Sequence, residues 1–283
     1  MRIAVLGMGN MGKAFATRAL ERAHLVTVWN RSAGRATDLV AKGAVEADSP
    51  KVAVMGSDVV LVVLADDAAV LEVCLGDDGA LASLGPAAVL ANISTVSPDT
   101  ARRLAGVGPE GRVLDSPVMG SPSLIAAGMG SFLIGGPSTA VEVLHPLWSD
   151  LGAGYTHCGP VGTGATMKLV SNLLLITGVT ALAEGIVTAR KNGISDELLK
   201  GVLADSFVVS GASKVRLESL FDNSHPGWFS PSLARKDVRL AVDLAEQAGV
   251  EVRVGPATDA LLTTVIDAGG QWPDFAAVIE ALG

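Results

Sequence analysis

The sequence predicts a doubly wound α/β domain followed by an all-helical domain that is built on one long helix. In the first half, short aliphatic runs alternate with helical patterns, which is typical of parallel strands buried on both faces of a sheet. A cluster of glycines follows the first aliphatic run directly. Beyond residue 164 almost only helical patterns remain. The predicted domains are residues 1–162 and 163–283.

Length and composition agree with two packed domains. A chain of 283 residues exceeds what a single hydrophobic core usually organises. The hydrophobic content of 49% and the charged content of 18% are typical of a globular protein. The net charge is −8, and lysines and arginines are scattered along the chain, so we expect no nucleic-acid partner.

The sequence predicts a cytoplasmic protein without a membrane partner or a metal. Glycines interrupt the apolar run 3–6 at once, so no secretory signal is indicated. Polar residues interrupt the apolar stretch 169–187, and no basic or aromatic flank anchors it. Cys74 and Cys158 are expected to be reduced thiols. The four histidines show no metal-ligand spacing.

The glycine-rich stretch indicates a dinucleotide site. The strand Arg2–Leu6 leads into a helix from Lys13 to Ala23 through Gly7, Met8, Gly9, Asn10, Met11 and Gly12. Strand, glycines and helix in this order are the context that the dinucleotide fingerprint requires. Gly7 permits the tight turn, Gly9 lets the backbone approach a pyrophosphate, and Gly12 lets the helix pack on the strand. The helix N-terminus then attracts the anion.

The residues after the second strand predict the phosphorylated form of the cofactor. The strand Leu25–Trp29 ends where an NAD enzyme has an acidic residue for the ribose 2′-hydroxyl, but this chain has none there. Arg31 can pair with a 2′-phosphate, and Asn30 and Ser32 can hydrogen-bond to it. Arg35 is a second, weaker candidate. We therefore predict that the cofactor is NADP.

Three more strands end in loops that should reach the cofactor or a small-molecule substrate. These strands are Asp58–Leu64, Ala88–Ala91 and Arg112–Asp115, and ligands lie beyond the carboxyl ends of such strands. The loops include Leu64 and Ala65, residues 92–95 and residues 115–121. Asp66 and Asp67 are expected to cap the next helix. Two late strands, Ser131–Ile134 and Tyr155–His157, should close the sheet around a helix over Ser138–Asp150.

The second domain should begin on a helix from Gly164 to Arg190, with Thr163 as its N-cap. Such a helix spans roughly 40 Å and would be shared by both domains. Lys168 and Asn172 stand four residues apart and so share one face, where we place the chemistry. The apolar character of this helix favours a homodimer or a higher homo-oligomer. The remaining predicted helices are Ser195–Ala204, Ala212–Phe221, Ser232–Ala248, Pro256–Ala268 and Asp274–Leu282.

Taken in order, the motifs resemble the β-hydroxyacid dehydrogenase family over essentially the whole chain. They are Gly7-x-Gly9-x-Met11-Gly12, Asn92-Ile-Ser-Thr-Val-Ser-Pro98, Asp115-Ser-Pro-Val118, the glycine-rich run 159–164 with Lys168 and Asn172, and Phe229 to Lys236-Asp237. The family includes 3-hydroxyisobutyrate dehydrogenases and glyoxylate or succinic semialdehyde reductases, and imine reductases share its fold. The resemblance implies a Rossmann domain, an interdomain helix and a helical domain that supports dimers.

Carried over by position, the resemblance also implies roles for single residues. Lys168 would be the catalytic acid/base and Asn172 an orienting polar group, while Thr95 and Lys236 would lie near the cofactor. The substrate would meet Ser116, Met119, Gly120 and Ser121. Where the family usually has Ser-Gly-Gly, this chain has Met119-Gly120-Ser121, so Ser121, Ser123 or backbone N–H groups would have to replace the missing hydroxyl.

Three hypotheses for the function follow. In the first, hydride passes from NADPH to a carbonyl carbon while the Lys168 ammonium protonates the oxygen. In the second, an imine is reduced; an ammonium would repel an iminium, but Met119 and the pair Trp228-Phe229 leave this reaction open. In the third, the chain binds NADP without catalysis, because a fold alone does not carry a function.

Overall fold

A computed structural model describes residues 1–282, and the chain divides into two compact units. The first unit runs from Met1 to Lys168 and the second begins at Leu169. The predicted boundary, after Gly162, lies just before the long helix, whereas the two units divide within that helix. The helix residues Thr163 to Lys168 therefore belong to the first unit.

The first unit is built on a nine-stranded, mostly parallel sheet. Its strands are β1 (Arg2–Leu6), β2 (Leu25–Trp29), β3 (Val45–Glu46), β4 (Val59–Val62), β5 (Val89–Asn92), β6 (Val113–Asp115), β7 (Val118–Met119), β8 (Ser131–Gly135) and β9 (Gly154–Gly159). The order is β3-β2-β1-β4-β5-β6-β8-β7, and β9 pairs with β8. The strands β1, β2, β4, β5 and β6 are parallel, as predicted, and the short β3, which was not predicted, is parallel to β2. In contrast, β8 runs antiparallel to β6 and β7.

Helices cover both faces of this sheet. They are α1 (Asn10–Glu21), α2 (Thr37–Val40), α3 (Pro50–Val54), α4 (Asp67–Leu75), α5 (Pro98–Val107), α6 (Pro122–Ala126), α7 (Ser138–Val143) and α8 (His145–Leu151), with a 3₁₀ turn at Leu81–Ser83. Asp66 caps α4 as predicted, accepting a hydrogen bond from the Ala69 N–H. The single helix predicted over Ser138–Asp150 is wrong: Leu144 leaves helical geometry, and Pro146 has no N–H with which to continue the first helix.

The strands are buried on both faces, which gives the first unit two hydrophobic cores. Along β1, Ile3 and Val5 face one core while Ala4 and Leu6 face the other. In the first of these cores the ring of Phe132 lies 4.8 Å from that of Trp148 and 5.9 Å from that of Phe15. Burial of apolar side chains on both faces explains why these strands are continuous aliphatic runs.

Two glycines permit the sharp turn between β1 and α1. Gly7 has a φ of +106°, and a Cβ there would lie 2.2 Å from the carbonyl oxygen of Val63. A Cβ at Gly12 would lie 1.8 Å from the carbonyl oxygen of Gly7. Gly9 differs from both, since no described atom lies within 4 Å of its Cβ position. Gly7 and Gly12 are thus required by packing, whereas Gly9 faces open space.

The second unit is helical. Its elements are α9 (Thr163–Lys191, from Leu169), α10 (Asp196–Asp205), α11 (Gly211–Lys214), α12 (Leu217–Phe221), α13 (Pro231–Gln247), α14 (Val254–Asp267) and a 3₁₀ helix at Phe275–Ala281. Two predictions were wrong in detail. The helix predicted over Ala212–Phe221 is broken near Arg216, whose guanidinium is buried 3.0 Å from Asp274. The last helix is 3₁₀ rather than α, and Asp274 caps it.

The long helix α9 supplies four residues to the core of the second unit, namely Ile176, Val179, Ala183 and Ile186. Within residues 1–282 it is the one helix whose length and composition would also suit a membrane span, a property shared by core helices of soluble proteins. Leu174 on α9 is 70% exposed. Self-association through such apolar side chains stays a prediction.

Thr163 does not cap α9 as predicted. Its hydroxyl donates a hydrogen bond to the Pro160 carbonyl at 2.7 Å. The carboxylate of Asp115 accepts from the Gly162 and Ala165 N–H groups instead, at 2.8 and 2.7 Å. A cap supplied from a distant strand leaves no local sequence signal.

Replacing Gly12 with alanine should destabilise the first unit, because the added methyl group would collide with the Gly7 carbonyl. We expect a loss of about 1–3 kcal/mol or more, visible as a lower melting temperature of the cofactor-free protein. The matched control is Gly9→Ala, which should melt within about 0.5 kcal/mol of the wild type. Equal melting temperatures for the two variants would contradict the predicted collision between a side chain at residue 12 and the Gly7 carbonyl.

The two thiols should differ sharply in reactivity. Cys74 is fully buried, and burial raises the pKa of its thiol to about 12. Cys158 is partly exposed, and burial together with the nearby Asp115 carboxylate raises the pKa of its thiol. Because the thiolate is the nucleophile, an aromatic disulfide reagent should label Cys158 alone in the native protein, faster as pH rises. Cys158→Ser should remove this reaction; rapid native labelling of Cys74 would contradict the burial.

Candidate active site

The turn after β1 is shaped to receive an anion. No side chain caps the first turn of α1, and that turn contains no acidic residue. Its N-cap residue is Gly9, beside which the space is open. Uncapped N–H groups and the helix dipole favour a phosphate at this position. The geometry of the turn therefore fits the pyrophosphate of a dinucleotide.

The end of β2 lies beside this turn and holds it in place. The Asn30 side-chain oxygen accepts a hydrogen bond from the Met8 N–H at 2.9 Å, and its amide nitrogen donates to the Ser32 carbonyl at 2.9 Å. Asn30 thus supports the loop, a role that the sequence did not predict. Arg31 and Ser32 are both exposed. Their predicted contact with a 2′-phosphate stays a prediction.

The loops after β4 and β5 are joined by a serine that the prediction missed. The Ser94 hydroxyl accepts from the Leu64 N–H at 2.9 Å and donates to the Val62 carbonyl at 3.1 Å. This fixes the backbone of Leu64 at the carboxyl edge of the sheet, next to the exposed Ala65. The half-buried Thr95 follows Ser94 directly. The predicted cofactor residues of these two loops, Leu64, Ala65 and Thr95, therefore lie at the same carboxyl edge of the sheet.

The loop from β6 to α6 contains the predicted substrate residues in different environments. Met119 is 43% exposed and Gly120 beside it has a φ of +152°. Ser116 is fully buried, and its hydroxyl has no hydrogen-bond partner among the described residues. The Ser121 hydroxyl caps α6, accepting from the Leu124 N–H at 3.2 Å, and lies 2.8 Å from the Ser123 hydroxyl. Both hydroxyls are thus already engaged in the turn.

Asp115, at the end of β6, fixes the beginning of α9. Its side chain is 1% exposed, and its two oxygens bind the Gly162 and Ala165 N–H groups. Burial raises the pKa of this carboxyl group, and the backbone hydrogen bonds oppose that rise. Lys168 lies one turn beyond this contact and is half-buried. Asp115 belongs to one of the motifs in the sequence, but the motif by itself did not predict this role.

In the second unit, Asn172 is part of a buried polar group. Its amide nitrogen donates to the Asp237 carboxylate at 2.6 Å, and Asn172 and Asp237 are 5% and 2% exposed. The Lys236 ammonium lies 2.8 Å from the other oxygen of Asp237. Two predicted site residues, Asn172 and Lys236, thus contact one carboxylate. Asp237 was quoted in a motif and could have been recognised by its position beside Lys236.

No metal site is found in residues 1–282, since no three His, Cys, Asp or Glu side chains there are placed to bind one ion. The first unit offers an uncapped helix N-terminus at α1 and an exposed arginine, Arg31, after β2. A nicotinamide dinucleotide fits these features.

Two protein-family models match this chain, and together they cover almost its whole length. The family model for the NAD-binding domain of 6-phosphogluconate dehydrogenase matches residues 2–159. The model for the NAD-binding domain of NADP-dependent 3-hydroxyisobutyrate dehydrogenase matches residues 162–282. Among curated relatives, glyoxylate/succinic semialdehyde reductase 1 of Arabidopsis thaliana is 31% identical, over 100% of this chain and 98% of the relative.

Solved structures show the same fold. The 3-hydroxyisobutyrate dehydrogenase of Mycobacterium tuberculosis, solved with L-serine, has a TM-score of 0.85 at 27% identity, covering 99% of this chain and 98% of its own. An imine reductase of Streptomyces aurantiacus shares the fold at a TM-score of 0.64 and 24% identity, with both chains covered completely. The chain therefore belongs to the β-hydroxyacid dehydrogenase family of nicotinamide-dependent oxidoreductases, the family that includes 3-hydroxyisobutyrate dehydrogenase.

Proposed function

We propose that this protein is an NADP-dependent reductase of small aldehyde acids, or a dehydrogenase of the corresponding hydroxy acids, with Lys168 as the general acid/base. One observation carries the proposal. Lys168 lies one turn into α9, directly beyond the contact by which Asp115 fastens that helix to the end of β6. The loop that follows β6 contains the predicted substrate residues.

The cofactor would be held by the turn 7–12, with Arg31 at the 2′-phosphate. When bound, NADPH supplies the hydride that reduces the carbonyl carbon. Backbone N–H groups at the start of α1 would bind the pyrophosphate. The Arg31 guanidinium would form charge-assisted hydrogen bonds to the 2′-phosphate, where a carboxylate would repel it.

Lys168 would move the proton. In reduction, the Nζ ammonium donates a proton to the carbonyl oxygen as negative charge develops there, which both neutralises and stabilises the oxyanion. In oxidation, the neutral amine accepts the hydroxyl proton. Asn172 would orient the reacting oxygen by hydrogen bonding. Reduction therefore needs the protonated lysine and oxidation the neutral one.

The substrate is proposed to be small and to carry an acid group, as the names of the aligned relatives suggest for those proteins. Met119 stands where the family usually has a serine that binds a carboxylate, and its side chain is 43% exposed. The Ser121 and Ser123 hydroxyls take part in the turn of α6. Backbone N–H groups of this loop would then bind the carboxylate, and substrates that are less polar at this end should be tolerated.

Imine reduction is the second candidate, supported by the shared fold and by Met119. A protonated Lys168 would repel an iminium, which already carries positive charge, so we place this reaction second. A panel of aldehyde acids, ketones and cyclic imines, followed by NADPH consumption, separates the two candidates. A clear preference for imines would reverse the order, and absence of turnover with tight NADPH binding would favour a non-catalytic role.

Replacing Lys168 with alanine should lower kcat for the best carbonyl substrate by about 10²- to 10⁴-fold, the usual contribution of a positioned acid or base. The KM for NADPH should change little. The control is Lys191→Ala, at the exposed far end of α9. Full turnover by Lys168→Ala would refute the assignment.

Replacing Arg31 with alanine should weaken NADPH binding by about tenfold or more, since a charge-assisted hydrogen bond is lost. The affinity for NADH, which has no 2′-phosphate, should stay within about twofold. Arg103→Ala, at an exposed position on α5, is the matched control. Equal losses for NADPH and NADH, or a wild-type preference for NADH, would contradict the predicted cofactor.

A further inference from the structure

A carboxylate is buried between α9 and α13 in the second unit. Burying a charged group costs free energy, so its presence there needs an explanation. Asp237 is 2% exposed, and its neighbours on α13 include the buried apolar residues Ala234, Val238 and Ala241. A buried charge is expensive unless it is paired and hydrogen-bonded. One oxygen of Asp237 accepts a hydrogen bond from the Asn172 amide at 2.6 Å, whereas the other has no hydrogen bond among the described residues and forms an ion pair with the Lys236 ammonium at 2.8 Å.

The carboxylate fixes which way the Asn172 amide points. An ionised carboxylate can only accept hydrogen bonds, so the NH₂ group of Asn172 must face it. The side-chain oxygen of Asn172 is consequently turned away from Asp237. Without this partner the amide could rotate and exchange its donor and acceptor. Asp237 therefore determines that Asn172 presents an acceptor on its other side.

The second oxygen of Asp237 restrains Lys236. Lysine has a long flexible side chain, which loses considerable rotamer freedom when its ammonium is held. Asp237 is adjacent to Lys236 on α13, and the side chain of Lys236 is 21% exposed. The ion pair thus holds the ammonium in a defined place before any ligand binds. Such preorganisation lowers the cost of binding a ligand.

We propose that Asp237 is a positioning residue that orients two site residues at once, the Asn172 amide through one oxygen and the Lys236 ammonium through the other. The inference rests on the proposed function, in which Asn172 orients the reacting oxygen and Lys236 contacts the cofactor. Asp237 itself touches neither ligand in this proposal. Its removal should affect turnover through Asn172 and cofactor affinity through Lys236.

The test is a double-mutant cycle with Asp237→Asn, Asn172→Ala and the combined variant. Asp237→Asn keeps the shape of the side chain and removes its charge. We expect it to lower kcat by about 10- to 100-fold, because a misplaced Asn172 amide would no longer orient the reacting oxygen. In the Asn172→Ala background it should lower kcat by less than about twofold, because it acts through Asn172. Effects that multiply independently, or no effect of Asp237→Asn on kcat, would overturn the proposal.

Cofactor binding gives a second measurement that needs no turnover. Asp237→Asn should raise the Kd for NADPH, measured by fluorescence, by about tenfold, whereas Asn172→Ala should leave it unchanged. Asp243→Asn, an exposed residue on the same helix, is the matched control and should change neither quantity. Melting temperatures are recorded in parallel. A purely structural role would lower the melting temperature of Asp237→Asn but leave kcat and Kd near the wild type.

A second variant covers the case in which Asp237→Asn does not fold. Asp237→Glu keeps the charge and displaces the carboxylate by one methylene, so the same cycle and the same outcomes apply. The proposed function fails separately, if Lys168→Ala keeps full turnover or if no substrate is turned over. In the latter case, the NADPH affinity of Asp237→Asn still decides the part of the proposal that concerns Lys236.

Discussion

The hydrogen bonds between Asp115 and the beginning of α9 are the contact on which the arrangement of the first unit depends. They join the end of β6 to the first turn of a helix of 29 residues. The space around them is tight, since a Cβ at Gly135 would lie 2.5 Å from an oxygen of Asp115. With this turn fixed to the sheet, Lys168 has a defined position relative to β6 and the loop after it.

In the helical unit a second buried carboxylate, that of Asp237, also holds donor groups in position. Asp237 contacts Asn172 and Lys236, as Asp115 contacts two backbone N–H groups. In both cases a short acidic side chain accepts at least one hydrogen bond from a different element, which makes the contact directional in a way that apolar packing is not. Apolar side chains supply most of the packing in each unit, and these two carboxylates determine where particular polar groups lie.

The sequence predicted much of the architecture, and its errors have clear causes. The strands β1, β2, β4, β5 and β6 and the turn around Gly7 and Gly12 were confirmed, because aliphatic runs and glycine spacing are local signals, whereas the two-residue strand β3 was not predicted. The single helix over Ser138–Asp150 was wrong. The helical sequence pattern continues across Pro146, but proline has no N–H group with which to continue the preceding helix. The cap of α9 was wrong because the true cap comes from β6.

The sequence by itself determined the order of elements, the glycine turn and the family, because each depends on patterns within a few residues or on motifs in a fixed order. Only the tertiary structure decided the partners of the buried polar groups. Asn30 and Met8 are 22 residues apart, Asp115 and Gly162 are 47, and Asn172 and Asp237 are 65. A buried donor or acceptor must be paired, but which group pairs with it depends on how distant elements pack.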